Sequence, residues 1–384
     1  MRLLPMSYAV RNLLRDPYRL VQLTGGTAVV VLLLFATGSF SAGMRQAMAG
    51  SGDQHNVILL GAGSEGSIER SSIDVGIAGI VSASVNGLRH VAGQSAVSPE
   101  IVHMTLVGQA NGPARQASLR GVTPMAFAVH RGVRIISGAL PRGDELLVGR
   151  LAHHRLGLSS DQLQPGSVLQ LEGRSFTISG VFAAPGTVYE GELWADLSAL
   201  MAATRRTSVS TVVAALDTAT PSDLETFAAL RLDLELSAIG EADYYAGRER
   251  FFAPIRAMAW LTTLLITAGA IFGGINAFHA AFASRTREAA TVQAIGFPRR
   301  AVAVSFLIEA GLVGLLGTLT ALFLALALLD GTTVSVPGGT FSLLLDHSTL
   351  CLGIGAGLAV GPIGALAPSW SCLIPSLPNA LRSA

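Results

Sequence analysis

The sequence contains no lysine, and all 26 of its basic side chains are arginine. This absence excludes Walker A nucleotide hydrolysis, Schiff-base chemistry and Ser–Lys hydrolysis by this chain, because each needs an ammonium group at a fixed position. The two cysteines, Cys351 and Cys372, are too few for a disulfide framework or a cysteine-based zinc site. Charged residues make up only 13% of the chain, against roughly 25% in soluble domains. The net charge of +1 also excludes binding of nucleic acid through bulk positive charge.

Long apolar runs replace the missing charge. There are four such runs, at 20–44, 257–284, 301–329 and 348–381, and each carries at most one acidic residue. Crossing a bilayer takes about 20 apolar residues, so each run is long enough. The sequence therefore predicts four transmembrane helices. The predicted segments are an amphipathic cytoplasmic helix at 1–19, spans at 20–44, 257–284, 301–329 and 348–373, an outer domain at 45–256, a cytoplasmic loop at 285–300, a short outer loop at 330–347 and a cytoplasmic tail at 374–384.

The distribution of arginine predicts the orientation of these spans. Arginines flank the first span and fill the loop between the second and third, whereas 330–347 contains none; they are Arg2, Arg11, Arg15, Arg19, Arg285, Arg287, Arg299 and Arg300. By the positive-inside rule, both termini and 285–300 are cytoplasmic. An alternative is that the first span is a cleaved signal peptide, but its charge-free run of 25 residues exceeds the usual h-region of about 7–15. We therefore favour an uncleaved anchor.

The segment 45–256 has the pattern of a mixed α+β domain. Short β-type runs occur at 56–60, 168–171, 176–182 and 211–216, and helical patterns at 75–91, 150–156, 196–203 and 221–232. The predicted fold class is thus a membrane α-helical protein of four transmembrane helices, with a large α+β extracytoplasmic domain inserted between the first and second spans.

Few residues in the sequence suggest a catalytic or proton-transfer site. Neither a zinc-protease HExxH motif nor a GxSxG nucleophile elbow occurs. Two ionisable residues fall within predicted spans, His279 and Glu309, and such residues are costly in lipid. For Glu309 we consider anchoring at the membrane interface, interhelical packing or coupling, and proton transport. For His279 we consider a proton relay or a neutral residue near the cytoplasmic end.

The cytoplasmic segment 284–302, SRTREAATVQAIGFPRRAV, is the most informative. It predicts a short helix over 286–294 that ends at Gly296, with Pro298 beyond it. A short helix between two spans could act as a lever for a cytoplasmic partner. The alternative is a plain positive-inside loop, which accounts for the arginines but not for the order helix, glycine, proline and arginine pair.

This segment resembles the signature of FtsX-like (MacB/LolC-type) ABC transporter permeases. The matching positions are Arg285, Glu288, the AIG at 294–296, Arg299–Arg300 and Glu309–Ala310. The basic stretch 8–19 resembles the amphipathic N-terminal helix of the same family, and 136–186 resembles part of its periplasmic domain. The order of one span, a large outer domain and three spans matches as well.

The resemblance implies a permease subunit that is not itself an enzyme. A separate ABC ATPase would use ATP and Mg and would dock on the coupling helix at 286–296; we predict the contacts to be Arg287, Glu288, Ile295, Gly296 and Phe297. The chain itself would bind no cofactor. Two permease chains, identical or different, would pair with two ATPases in the bacterial inner membrane, in contact with lipid and, in some members, a periplasmic adaptor. ATP-driven motion would reach the outer domain for export, lipid or lipoprotein release, or similar envelope work.

Two alternatives come from other classes of protein. A non-transport receptor would sense a ligand with its outer domain and recruit a cytoplasmic partner through 285–300. A membrane-embedded enzyme would use Glu309 and His279, which requires both side chains to meet in one cavity.

Overall fold

The computed structural model describes residue 4 and residues 6–109, 112–336 and 339–374. The predicted cytoplasmic tail at 374–384 therefore lies outside the described residues, apart from residue 374. The helices are α1 Met6–Arg15, α2 Pro17–Ser51, α3 Ile77–Ser84, α4 Ala126–Val129, α5 Ala152–Leu156, α6 Leu197–Thr204, α7 Pro221–Leu230, α8 Glu241–Ala283, α9 Thr286–Ala294, α10 Arg299–Leu328 and α11 His347–Ser371.

The strands are mostly short. They are β1 Asn56–Gly61, β2 Ile73–Asp74, β3 His90–Val91, β4 Gln94–Ser95, β5 Val97–Gly108, β6 Arg115–Val122, β7 Arg134–Gly138, β8 Glu145–Gly149, β9 Val168–Leu171, β10 Arg174–Ala183, β11 Leu193–Asp196, β12 Ser208–Val209, β13 Thr211–Ala215, β14 Leu236–Gly240, β15 Thr333–Val336 and β16 Gly339–Ser342.

The chain divides into two compact units. We name residues 1–42, 254–332 and 343–384 the helical unit, and residues 43–253 and 333–342 the α+β unit. Among the described residues, four helices are long and apolar enough to cross a membrane, namely α2, α8, α10 and α11. They occupy the stretches where the apolar runs predicted spans.

Small residues allow close packing within the helical unit. α10 and α11 approach so closely that a Cβ added at Gly361 would collide with the carbonyl oxygen of Ala310. Gly314 and Gly357 face the same contact, since a Cβ at Gly314 would lie 3.0 Å from the carbonyl oxygen of Gly357. Helices in lipid associate through close contacts of this kind between small residues. Lipid tails are as apolar as the side chains, so the hydrophobic effect does not drive the helices together there.

The N-terminal helix differs from the prediction. The sequence predicted one amphipathic helix at 1–19, but the structure ends α1 at Arg15 and starts α2 at Pro17. Proline fits the first position of a helix, where its missing N–H has no partner to lose. The carboxylate of Asp16 then accepts a hydrogen bond from the backbone N–H of Arg19 at 3.1 Å, which caps α2.

A large sheet organises the α+β unit. Its strand order is β14-β1-β13-β5-β6-β11-β8-β10-β7, and β9 pairs with both β10 and β5. The strands β5, β6, β11, β8, β10 and β9 therefore close into a ring. Neighbouring strands are antiparallel except for the parallel pairs β6–β11 and β8–β10. The core between the sheet and its helices is largely aliphatic and contains the fully buried Phe176. Trp194 is also fully buried, but it packs against Phe127 and Phe182 outside that cluster.

Two predictions for this unit were wrong in detail. The helical pattern at 75–91 forms α3 only as far as Ser84, and its end forms strand β3. The stretch 330–347, predicted as a plain outer loop, contains the hairpin β15–β16, which clusters with the α+β unit.

Candidate functional site

The short helix α9 presents two different faces. Ala289 and Ala290 are buried, and Ala289 packs in a cluster that also contains Phe282 and Phe306. On the opposite side Arg287, Thr291 and Ile295 follow one another at intervals of four residues, so they share a face, and all three are exposed. Ile295 is 75% exposed. α9 is thus seated on buried alanines, and its open face carries Arg287 and Ile295, two of the five predicted ATPase contacts.

The end of α9 is fixed by backbone geometry. Gly296 has φ +106°, a conformation that disfavours any side chain. Its N–H donates to the carbonyl of Gln293 at 3.0 Å, and the N–H of Phe297 donates to the carbonyl of Val292 at 3.4 Å. These two bonds form a Schellman motif, which ends the helix as the sequence predicted. Phe297 is only partly exposed, so Ile295 is the apolar side chain that α9 presents most fully.

Ion pairs hold α9 to two other helices. The Nη1 of Arg285 lies 3.0 and 3.1 Å from the two carboxylate oxygens of Glu309 on α10, and its Nε lies 3.3 Å from Glu288. Glu288 also accepts a hydrogen bond from Arg15 on α1 at 3.2 Å. The guanidinium of Arg285 sits 5.7 Å from the ring centroid of Phe306. Glu288 therefore has partners inside the chain, in addition to its predicted contact with an ATPase.

The structure does not bring His279 and Glu309 into one cavity. Glu309 lines a cavity between α1, α2, α8 and α10, and the described residues around that cavity do not include His279. His279 is exposed on α8 instead. This placement removes the geometric condition for an intramembrane enzyme built on the two residues.

A second constellation, which the sequence did not reveal, is buried in the α+β unit. Arg120 on β6 donates from Nε and Nη2 to the two carboxylate oxygens of Glu192, at 2.7 and 2.9 Å. Its Nη1 donates to Glu100 on β5 at 2.8 Å. The other oxygen of Glu100 lies 2.8 Å from Nε2 of His130. The indole N–H of Trp194 donates to Glu192 at 2.9 Å.

The same network reaches the start of α8. Glu241, the first residue of that helix, accepts hydrogen bonds from Asn56 of β1 and from the hydroxyl of Tyr189, both at 2.9 Å. Nδ1 of His130 lies 3.6 Å from Glu241. The hydroxyl of Tyr189 also lies 3.2 Å from the carbonyl of Ser51, the last residue of α2. The network thus ties the adjoining ends of α2 and α8 to the sheet, which gives it a structural role.

Neighbouring charges keep Glu100 and His130 ionised despite their burial. Burial alone would raise the pKa of Glu100, but His130 and Arg120 lower it to about 2. Burial alone would lower the pKa of His130, but the Glu100 carboxylate outweighs burial and raises it. Burial and Glu241 raise the pKa of Tyr189 well above its usual range, so its hydroxyl stays protonated and donates. Two cationic side chains therefore balance most of the charge of three buried carboxylates.

The raised pKa of His130 predicts a pH dependence of stability. Its contribution is complete below its ordinary pKa of 6.5 and is lost as pH rises through the higher folded-state value. We expect the melting temperature of the α+β unit in the full-length chain to fall between pH 6 and pH 9, and His130→Gln to flatten that fall. The control is His55→Gln, whose side chain is 71% exposed. Parallel curves for wild type and His130→Gln would contradict this assignment.

No signal in the sequence marks this network. Its members lie on separate strands and helices, and charged residues in β5 and β6 make those strands look solvent-exposed. Across the described ranges, no group of three or more His, Cys, Asp or Glu side chains is placed to hold a metal ion. The site with the features of a partner surface is the exposed face of α9.

Comparison with known proteins agrees with this architecture. The chain matches the MacB-like periplasmic core domain family over residues 23–229 and the FtsX-like permease C-terminal family over residues 260–375. It is similar to the periplasmic region of MacB from Actinobacillus actinomycetemcomitans, at 14% identity and a TM-score of 0.40, over 50% of this chain and 91% of that one. It is also similar to the extracellular domain of the noncanonic ABC-type transporter YknZ from Gram-positive bacteria, at 13% identity and a TM-score of 0.38, over 48% and 99%. No curated protein matches the chain.

The four apolar helices and the matched periplasmic core domain together define a multi-pass membrane protein that carries a large α+β domain of the periplasmic type. The chain belongs to the family of FtsX-like permeases with a MacB-like periplasmic core domain, which confirms the resemblance read from its motif. Such permeases are membrane subunits of ABC transporters and are typically not enzymes themselves.

Proposed function

We propose that this chain is the permease subunit of an ABC complex in the bacterial inner membrane, with both termini cytoplasmic, and that a separate ATPase docks on α9. One observation carries the proposal. α9 is seated on buried alanines and held by ion pairs on one side, while Arg287, Thr291 and Ile295 are exposed together on the other. An apolar anchor beside a charged group suits a groove on a partner, because few residues supply most of the binding energy at an interface.

The ion pairs supply a route for mechanical coupling. Because Arg285 binds Glu309, a force on α9 moves α10, and because Glu288 binds Arg15, it also moves α1. ATP and Mg are used by the partner, and this chain contributes no lysine-containing phosphate loop. Transmission of this motion to the α+β unit would serve export, lipid or lipoprotein release, or related work in the envelope.

A second permease chain, identical or different, is part of the proposal. The most apolar window of α8 is only 6% buried within the chain, against 28–33% in the other three candidate spans. Large side chains such as Phe251, Met258 and Leu265 are exposed along it. The exposed face of α8 is therefore large enough to contact both lipid and a second permease chain.

Co-purification tests the docking surface. We expect Arg287→Glu combined with Ile295→Ser to lower the ATPase recovered with the full-length chain at least about tenfold, because loss of a central anchor costs about 2 kcal/mol or more. The matched control is Arg134→Glu combined with Ile136→Ser, two exposed residues of β7 that receive the same changes.

The control should recover as much ATPase as the wild type. Equal recovery with the α9 double variant, at equal expression and equal melting temperature, would overturn the assignment of α9 as the docking helix. Recovery of a partner without nucleotide hydrolysis would instead favour a receptor.

A further inference from the structure

A cavity of about 260 Å³ lies in the helical unit beside the candidate site. The α1–α2 junction, the end of α8, the start of α9 and α10 enclose it. Its floor is apolar and consists of side chains of the bundle, among them Leu20, Phe278 and Val313. Its rim is polar and charged, with Arg15 and Arg19 on one side. A pocket with an apolar floor and a charged rim has the amphipathic character of a lipid.

The cavity lies at the level of lipid headgroups. The charge-free run of α2 begins at Leu20, and that of α8 ends at Ser284, so both spans meet the membrane surface here. The neighbouring helix α1 supports this depth. Its residues Met6, Val10 and Leu14 form an exposed apolar stripe at intervals of four residues, as in helices that lie in the interface.

Three of the side chains that line the cavity, Asn12, Arg15 and Arg19, carry N–H donors of the kind that bind a phosphate. Nδ2 of Asn12 is buried and has no hydrogen-bond partner among the described residues, which leaves it available to a bound acceptor. The side chain of Arg15 makes a 3.2 Å hydrogen bond to Glu288 through Nη1. Nε of Arg19 is 3.5 Å from the carboxylate of Asp16, longer than a good charge-assisted hydrogen bond.

The charge on the rim is balanced. Three arginines and three carboxylates line the cavity, namely Arg15, Arg19, Arg285, Asp16, Glu288 and Glu309. A ligand that brought only negative charge would meet Asp16 and Glu288, whose side chains are about half exposed. A headgroup with both a phosphate and an ammonium group would satisfy both signs of charge on the rim.

We propose that this cavity binds a phospholipid whose headgroup joins a phosphodiester to a primary ammonium group, as in phosphatidylethanolamine. Asn12, Arg15 and Arg19 donate hydrogen bonds to the phosphodiester. Asp16 and Glu288 accept them from the ammonium group. The first methylenes of an acyl chain lie on the apolar floor. A bound lipid would thus brace α1 against α8 and α10, beside the helix that the ATPase is proposed to contact.

Lipid retention by the full-length protein tests this site. The protein is purified in mild detergent, incubated in turn with phosphatidylethanolamine, phosphatidylcholine and phosphatidylglycerol, and examined by native mass spectrometry. We expect phosphatidylethanolamine to bind most tightly. Arg19→Gln should weaken that binding roughly tenfold, because it removes a charged hydrogen-bond donor to the phosphodiester. Asn12→Leu, which replaces the amide group by an apolar group with the same branching, should weaken it as well.

The matched control is Arg11→Gln, an exposed arginine of α1 that does not line the cavity. It should bind phosphatidylethanolamine as the wild type does. Unchanged binding in both Arg19→Gln and Asn12→Leu would overturn the site. Equal binding of phosphatidylcholine, whose ammonium group has no N–H, would overturn the role of Asp16 and Glu288, and tighter binding of phosphatidylglycerol would overturn the requirement for a zwitterion.

Discussion

Arg120→Met is expected to lower the free energy of unfolding of the α+β unit by about 3–5 kcal/mol, the usual cost of removing one partner from a buried ion pair. The guanidinium is 4% exposed and bonds to both Glu100 and Glu192. Its loss leaves three buried carboxylates with His130 as their remaining cation in the network. Methionine keeps much of the side-chain volume, so the loss of charge dominates the effect.

Thermal unfolding of the full-length protein in detergent measures this effect. A loss of 1 kcal/mol corresponds to roughly 2–4 °C for a unit of this size, so the variant should melt roughly 6–20 °C lower. Fluorescence of Trp194 is a local reporter once the other two tryptophans, Trp260 and Trp370, are replaced by phenylalanine in both variants and in the reference, because the Trp194 indole is fully buried and donates to Glu192. The matched control is Arg174→Met, which removes an exposed ion pair with Asp144 and should cost less than about 1 kcal/mol. Equal melting temperatures for the two variants would show that the network contributes no more than a surface pair.

Arg285→Gln is expected to destabilise the helical unit more than Glu309→Gln does. Arg285 serves two carboxylates, and its loss removes the bonds to both Glu309 and Glu288. In Glu309→Gln, Arg285 keeps its ion pair with Glu288, and the amide oxygen of the new glutamine still accepts a hydrogen bond from Arg285. We expect a cost of about 1.5–3 kcal/mol for the first change and less for the second, since bonds to charged groups are the stronger ones.

The relative stability of these two variants also distinguishes the roles considered for Glu309. Thermal unfolding of both variants, combined with the amount of ATPase recovered, gives the comparison. If Glu309 anchors and couples helices, Glu309→Gln keeps partial stability and partial recovery. If it carries protons, Glu309→Gln would leave stability and recovery intact and abolish biological activity, and that outcome would contradict the coupling role.

Helix α9 illustrates what the sequence alone could predict. Local signals define it, because Gly296 and Pro298 end it in the order that a helix C-terminus requires. The four membrane helices were equally predictable, since lipid demands long apolar runs. Four predicted strands are also present: the runs at 56–60, 168–171, 176–182 and 211–216 correspond to β1, β9, β10 and β13. Each run shows apolar residues that either alternate with polar ones or follow one another.

The strands β5 and β6 illustrate what could not be predicted. Glu100 and Arg120 lie within them and are fully buried, yet charged residues normally indicate exposure. Their burial depends on partners from other strands and helices, and a single sequence does not show such pairing. The pair Arg285–Glu309 is similar, because 24 residues separate its members and only the packing of α9 against α10 brings them together.

Photo-crosslinking from residue 295 in growing cells tests the central claim most directly. A photoreactive amino acid replaces Ile295 in one strain and Ile136, which is also exposed, in another. The crosslinked proteins are identified and assayed for nucleotide hydrolysis. The proposed function predicts an adduct with an ABC ATPase from position 295 and none from position 136. Crosslinks from 295 that yield only lipid, or only proteins that do not hydrolyse ATP, would contradict the docking of an ATPase on α9.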